Sequence, residues 1–116
     1  MPSVLIVDDH ATFRATARQL LEAEGYEVVG EAGDGASALE AVVRLRPDVV
    51  LLDVQLPDMD GFEVSRCLCG NGDSPKVVLT SSRDVSEFGD LVRGCGSRGF
   101  IPKAELSGGR LAALLE

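Results

Sequence analysis

The 116-residue chain is predicted to fold as an α/β domain around a parallel sheet, and three observations carry that expectation. Two continuous apolar runs, Val4-Leu5-Ile6-Val7 and Val49-Val50-Leu51-Leu52, read as strands covered on both faces. Stretches of helical period separate the apolar runs, and strands taking turns with helices join as right-handed βαβ units. Each of the two runs also ends in aspartate: Asp8 and Asp9 after the first, Asp53 after the second.

The elements follow in order. Ser3 to Val7 is the first strand. Ala11 to Ala23 carries Phe13, Ala17, Leu20 and Leu21 on one stripe, a helix stopped by Gly25. Tyr26 to Ala32 is rich in β-formers, and Glu27 and Glu31 mark it as a strand near the sheet edge. Gly33-Asp34-Gly35 turns the chain into a helix holding Ala38, Leu39, Val42 and Val43, which Pro47 closes. Asp48 to Asp53 is the central strand, Gln55 to Asp60 a loop and Gly61 to Cys69 a short helix. Polar residues Gly70 to Ser74 precede a fourth strand, Lys76 to Ser81. Asp84 to Arg93 reads as a weak helix, since an interior Gly89 costs about 1 kcal/mol relative to alanine. Ser97 to Pro102 holds a fifth strand and Leu106 to Leu115 a last helix.

Three carboxylates at the ends of adjacent strands repel one another and raise each other's affinity for protons. A divalent cation among them relieves that repulsion. Magnesium is the expected ion, because hard oxygen donors suit it and it keeps part of its water shell.

Composition narrows the function classes. The net charge is −8, and Lys76 and Lys103 are the only lysines. So acidic a chain has no electrostatic footprint for nucleic acid or anionic lipid, and a role on DNA would need another domain. No run approaches the roughly 18 apolar residues of a membrane span, and the first residues lack the features of a secretory signal. Cys67, Cys69 and Cys95 fit neither a disulfide framework nor a zinc site, and read as small, partly buried residues in a reducing cytosol.

Asp8-Asp9, Asp53, Ser81 and Lys103, each at the end of a strand, match the receiver domain of response regulators. The loop Leu56-Pro57-Asp58-Met59-Asp60-Gly61 matches the family's stretch after its phosphoacceptor. The chain thus resembles a receiver along essentially its whole length, one domain over 1–116. The resemblance implies a flavodoxin-like, doubly wound sheet of order 2-1-3-4-5 with helices on both faces. It also implies a phosphoacceptor switch in which a histidine kinase donates a phosphoryl group to Asp53 with Mg2+ present. Asp8, Asp9, Asp53 and the backbone carbonyl of Gln55 would hold the metal, and Ser81 and Lys103 would meet the phosphoryl oxygens. Thr80, Ser81 and Ser82 are contiguous, and the family's interval to the lysine selects Ser81.

The same resemblance implies that Ser81 and Phe100 form the switch. The changing surface would be the fourth helix, fifth strand and fifth helix. Gln55 and Arg83 flank the expected phosphoryl group and are expected to tune its lifetime, Arg83 by shielding it from water. His10 is expected on the first helical turn with no chemical role, and Ser65 as a departure that weakens its helix. Asp9-His10, Phe13-Arg14 and the Pro102-Lys103-Ala104 order are similar to receivers of the NarL/LuxR type, which usually continue into a helix-turn-helix domain. No such output domain is expected within these residues; DNA would be reached only through one, and a homodimer would form on phosphorylation. The protein is expected in the cytoplasm and off membranes.

Two other classes compete. A magnesium-dependent phosphatase or phosphotransferase working through an aspartyl phosphate would want an acid where Gln55 stands, and a substrate cap. An unphosphorylated adaptor would have no use for a costly acidic cluster.

Overall fold

The computed structural model describes residues 2–69, 75–82 and 89–115. Five strands, β1 (Ser3–Val7), β2 (Glu27–Ala32), β3 (Val49–Asp53), β4 (Lys76–Ser81) and β5 (Gly99–Pro102), form one sheet. Its order is β2-β1-β3-β4-β5 and every pairing is parallel. The helices are α1 (Ala11–Ala23), α2 (Gly35–Leu45), α3 (Gly61–Leu68), α4 (Gly89–Gly94) and α5 (Gly108–Leu115).

The period-two alternation of the apolar runs sorts the core into two layers. Val4 and Ile6 face one way with Val49, Leu51 and Val78, against Ala17 and Leu21 of α1 and Leu111 of α5. Leu5 and Val7 face the other way with Val50, Leu52, Val77 and Leu79, against Ala38 and Ala41 of α2, Val64 and Leu68 of α3, and Val92 of α4. Burying each Val, Leu or Ile side chain stabilises the fold by about 1.5–3 kcal/mol. Because both sides are covered, β1 and β3 needed unbroken apolar sequences.

The later elements depart from the sequence expectation. β5 begins at Gly99 rather than Ser97, because Gly96 (φ 83°) and Gly99 (φ 153°) bend the chain before it can extend. A 3-10 turn at Lys103–Glu105 delays α5 to Gly108, where the Ser107 hydroxyl accepts from the Arg110 amide. Of the helix expected over Asp84 to Arg93, the first five residues lie outside the described set.

Ser65 has a partner on another element. It is fully buried on α3, and its hydroxyl donates to the Cys95 carbonyl at 3.0 Å, tying α3 to the end of α4. The three cysteines are free thiols, and Cys67 is exposed rather than partly buried. Among the described residues, no helix is long and apolar enough to cross a membrane.

Candidate functional site

Parallel strands carry their carboxyl ends to one edge of the sheet. Val7 pairs with Leu52, so Asp8 and Asp53, the residues that follow in each strand, emerge side by side. Asp53 pairs in turn with Thr80, and Ser81 with Pro102, the residue before Lys103. The strand register therefore brings the residues that carry two aspartates, a hydroxyl and an ammonium to four neighbouring strand ends.

Asp8 and Asp53 are buried, at 0% and 4% exposure, whereas Asp9 stays at the surface. Lys103 Nζ lies between the two buried acids, 2.6 Å from Asp8 Oδ2 and 3.1 Å from Asp53 Oδ2. Asp53 Oδ1 accepts from the Gln55 amide at 3.0 Å. Asp8 Oδ1 accepts from the His10 amide at 2.8 Å, and the Arg14 guanidinium donates to the Asp8 carbonyl.

These environments set the proton affinities. Burial raises the Asp53 carboxyl above its ordinary value and the neighbouring Asp8 charge raises it further; the Gln55 amide and Lys103 oppose the rise without cancelling it. Burial would lower the Lys103 ammonium, but the Asp8 and Asp53 carboxylates outweigh that and hold it above its ordinary value. The lysine stays charged, and the nucleophile candidate is costly to ionise.

Asp8, Asp9, His10 and Asp53 each turn a donor atom into one space, all within 4.8 Å of one another. Asp8 Oδ2 is buried without a hydrogen bond, its neutralising contact among the described residues being Lys103. Three carboxylates converging on one space, two of them buried, fit a hard divalent cation.

The remaining expected residues divide. Gln55 reaches the site through its amide and sits in a bridge with Asp60, while its side chain is exposed. Ser81 is buried at the end of β4, beside a Thr80 hydroxyl that is buried with no hydrogen bond among the described residues. Phe100 is half-buried and packs on the α2–α4 side of the core. Arg83 lies outside the described residues.

Three participants escaped the sequence reading. His10 is the N-cap of α1 and has a place in the site after all: Nδ1 is 3.1 Å from Asp8 Oδ1 and 3.0 Å from Asp9 Oδ1. Arg14 buttresses the Asp8 backbone, and the Phe13 ring lies 4.6 Å from Lys103 Nζ. Their proximity to the acidic pair along the chain was the available signal. Helical periodicity assigned Phe13 to the core stripe, where it does pack, and gave no sign of the lysine.

Comparison with known proteins agrees with this geometry. The family described as response regulator receiver domain matches residues 4–115. The nitrate/nitrite response regulator protein NarP of Escherichia coli is 40% identical over 101 residues, 86% of this chain and 47% of NarP. A protein-glutamate methylesterase/protein-glutamine glutaminase of Myxococcus xanthus is 51% identical over 80 residues, 68% of this chain and 23% of that enzyme. The chain thus spans about half of one relative and about a quarter of the other. The receiver domain of the NarL response regulator from Mycobacterium tuberculosis superposes with a TM-score of 0.85 at 34% identity, covering 98% of this chain and 96% of that one. With the site assembled at the sheet edge and a match along nearly its full length, the chain belongs to the response-regulator receiver family of two-component signalling, a class of signalling modules rather than conventional enzymes.

Proposed function

We propose that Asp53 is the phosphoacceptor of this receiver and that a histidine kinase supplies the phosphoryl group. The observation that carries the reading is Lys103 Nζ seated between the buried Asp8 and Asp53 carboxylates. A cation held there is placed to meet charge developing on phosphoryl oxygens, and phosphoryl transfer is chiefly a matter of positioning and charge stabilisation.

The Gln55 amide fixes Asp53 Oδ1, which leaves Oδ2 on the Lys103 side as the nucleophile. Oδ2 attacks phosphorus, a P–O bond forms as the P–N bond to the donor imidazole breaks, and the imidazole nitrogen takes up a proton. Lys103 then exchanges a carboxylate contact for a phosphoryl oxygen, and the Ser81 hydroxyl donates to another. Asp8, Asp9, Asp53 and the Gln55 carbonyl would hold magnesium, which when bound supplies positive charge for the carboxylates and phosphoryl oxygens.

The product adds about −1.5 to −2 charge and three acceptor oxygens at the sheet edge. Ser81 and Phe100 would convey that change to the surface of α4, β5 and α5, where a second copy of the receiver would dock. Gln55 and Arg83 would set the lifetime of the acyl phosphate. DNA binding or another output would belong to a further domain, and a cytoplasmic setting suits a kinase-fed switch.

Incubation with magnesium and acetyl phosphate, followed by intact-mass and peptide analysis, tests the reading. One phosphoryl group on Asp53 is expected, lost in Asp53→Asn. Turnover of free phosphate esters would favour a phosphatase, and no modification at all an adaptor.

A further inference from the structure

Lys103 has four rotatable side-chain bonds, so its backbone position alone does not fix its ammonium group. Its partners do. The ammonium has three N–H donors, and two carboxylate oxygens, from Asp8 and Asp53, lie on one side of it. The Phe13 ring lies beside the same nitrogen, 4.6 Å from Nζ to the ring centroid.

The origin of that ring is local. Phe13 stands in the first turn of α1, four residues after Asp9. Helical side chains lean toward the helix N-terminus, so the ring is carried back toward the acidic pair and the sheet edge. It is half-buried and packs on the α1–α5 layer of the core. The Arg14 contact to the Asp8 carbonyl holds this turn against the strand end.

From this arrangement we infer that Phe13 is a positioning residue, whose ring face holds the Lys103 ammonium at the mouth of the acidic pocket. The inference rests on the phosphoacceptor reading of Asp53 and deepens it. A ring suits the task better than a third carboxylate. It attracts the cation through its quadrupole and excludes water, yet adds no negative charge to compete with an arriving phosphoryl group. Lys103 can then leave a carboxylate for a phosphoryl oxygen without leaving the ring.

The test is a double-mutant cycle read by the rate of phosphorylation from acetyl phosphate with magnesium, using Phe13→Leu, Phe13→Tyr and Lys103→Ala. Phe13→Leu keeps an apolar side chain and loses the π face, and should slow the chemical step by about threefold to tenfold at equal folded fraction. Phe13→Tyr should restore the rate. In the Lys103→Ala background, Phe13→Leu should change nothing further. The lysine ε-methylene NMR signals give a second readout: Lys103 should shift in Phe13→Leu while Lys76 does not. An equal slowing with and without Lys103, no rescue by tyrosine, or an unmoved Lys103 signal would each overturn the inference. A wild-type protein that takes no phosphoryl group overturns the phosphoacceptor reading instead, and this inference with it.

Discussion

The connection from β3 to α3 and the described region around α4 are held in different ways. The one after β3 is pinned at each step. Val54 donates to the Thr80 carbonyl, Gly61 to the Val54 carbonyl, and Asp60 caps α3 through the Glu63 amide. Asp58 reaches across to the amides of Gly35 and Ala36 at the start of α2. Around α4 the helix ends face open space, although Val92 and Cys95 are buried. A side-chain carbon on Gly89 or Gly94 would meet nothing within 4 Å, and side-chain bonds such as Ser65 to Cys95 and Cys69 to Gly96 link α3 to the end of α4. Segments with few packed contacts open at low free-energy cost. If Asp53 takes a phosphoryl group as proposed, the added charge would arrive on the closely pinned side.

The rigid side should break hardest. α3 approaches the sheet so closely that a side-chain carbon on Gly61 would collide with the Asp53 carbonyl and lie 2.7 Å from the Val54 Cα. These are backbone atoms and cannot rotate aside. Gly61→Ala should therefore destabilise the protein by about 3 kcal/mol or more, read by urea denaturation. A variant as stable as wild type would mean that α3 is not seated on the Asp53 peptide, and the contrast between the two regions would fail.

On the open side, Ser65→Ala sharpens the comparison. Removing the hydroxyl leaves the Cys95 carbonyl without that donor in a buried setting, a loss of about 1–3 kcal/mol. The effect should also be local. Amide exchange should quicken around Cys95 and Gly96 while residues 54–61 keep their protection. Uniform loss across both regions would show that they open together.

What could be read from the amino acids followed the physics of each part. β1 and β3 were legible because a strand buried on both faces must be continuously apolar, and because each ends in acid. The resemblance implied the strand order and Lys103, and the register agrees by bringing Asp8, Asp53 and Lys103 to neighbouring strand ends. β5 and α5 were misjudged at their starts, since left-handed glycines and a 3-10 turn leave no periodic trace. Ser65 read as a flaw because its partner lies 30 residues away on another element. Phe13 was assigned to the core stripe by helical period, where it does pack, but its contact with Lys103 comes from the far end of the chain and leaves no local trace.

The smallest expected effect concerns the Asp58 latch, and its dependence on pH identifies it. The Gly35 and Ala36 amides stabilise the ionised carboxylate, which holds its proton affinity below the ordinary aspartate value of 3.8. A carboxyl depressed in the folded state contributes stability above its unfolded value and loses it as pH falls through the folded one. The carboxamide of Asp58→Asn would keep one acceptor oxygen but no charge, so that variant should be less stable than wild type near neutrality. The gap should hold down to the ordinary carboxyl range and close as pH falls below it, when wild type protonates Asp58 as well. Thermal unfolding of both proteins across the acid range measures this directly. A gap that persists in acid would assign the destabilisation to lost packing around Met59 and Gly35 instead. A gap absent at neutral pH would mean that the Gly61 seat and the Asp60 cap suffice to hold the loop, so that the rigid side owes its rigidity to α3 alone.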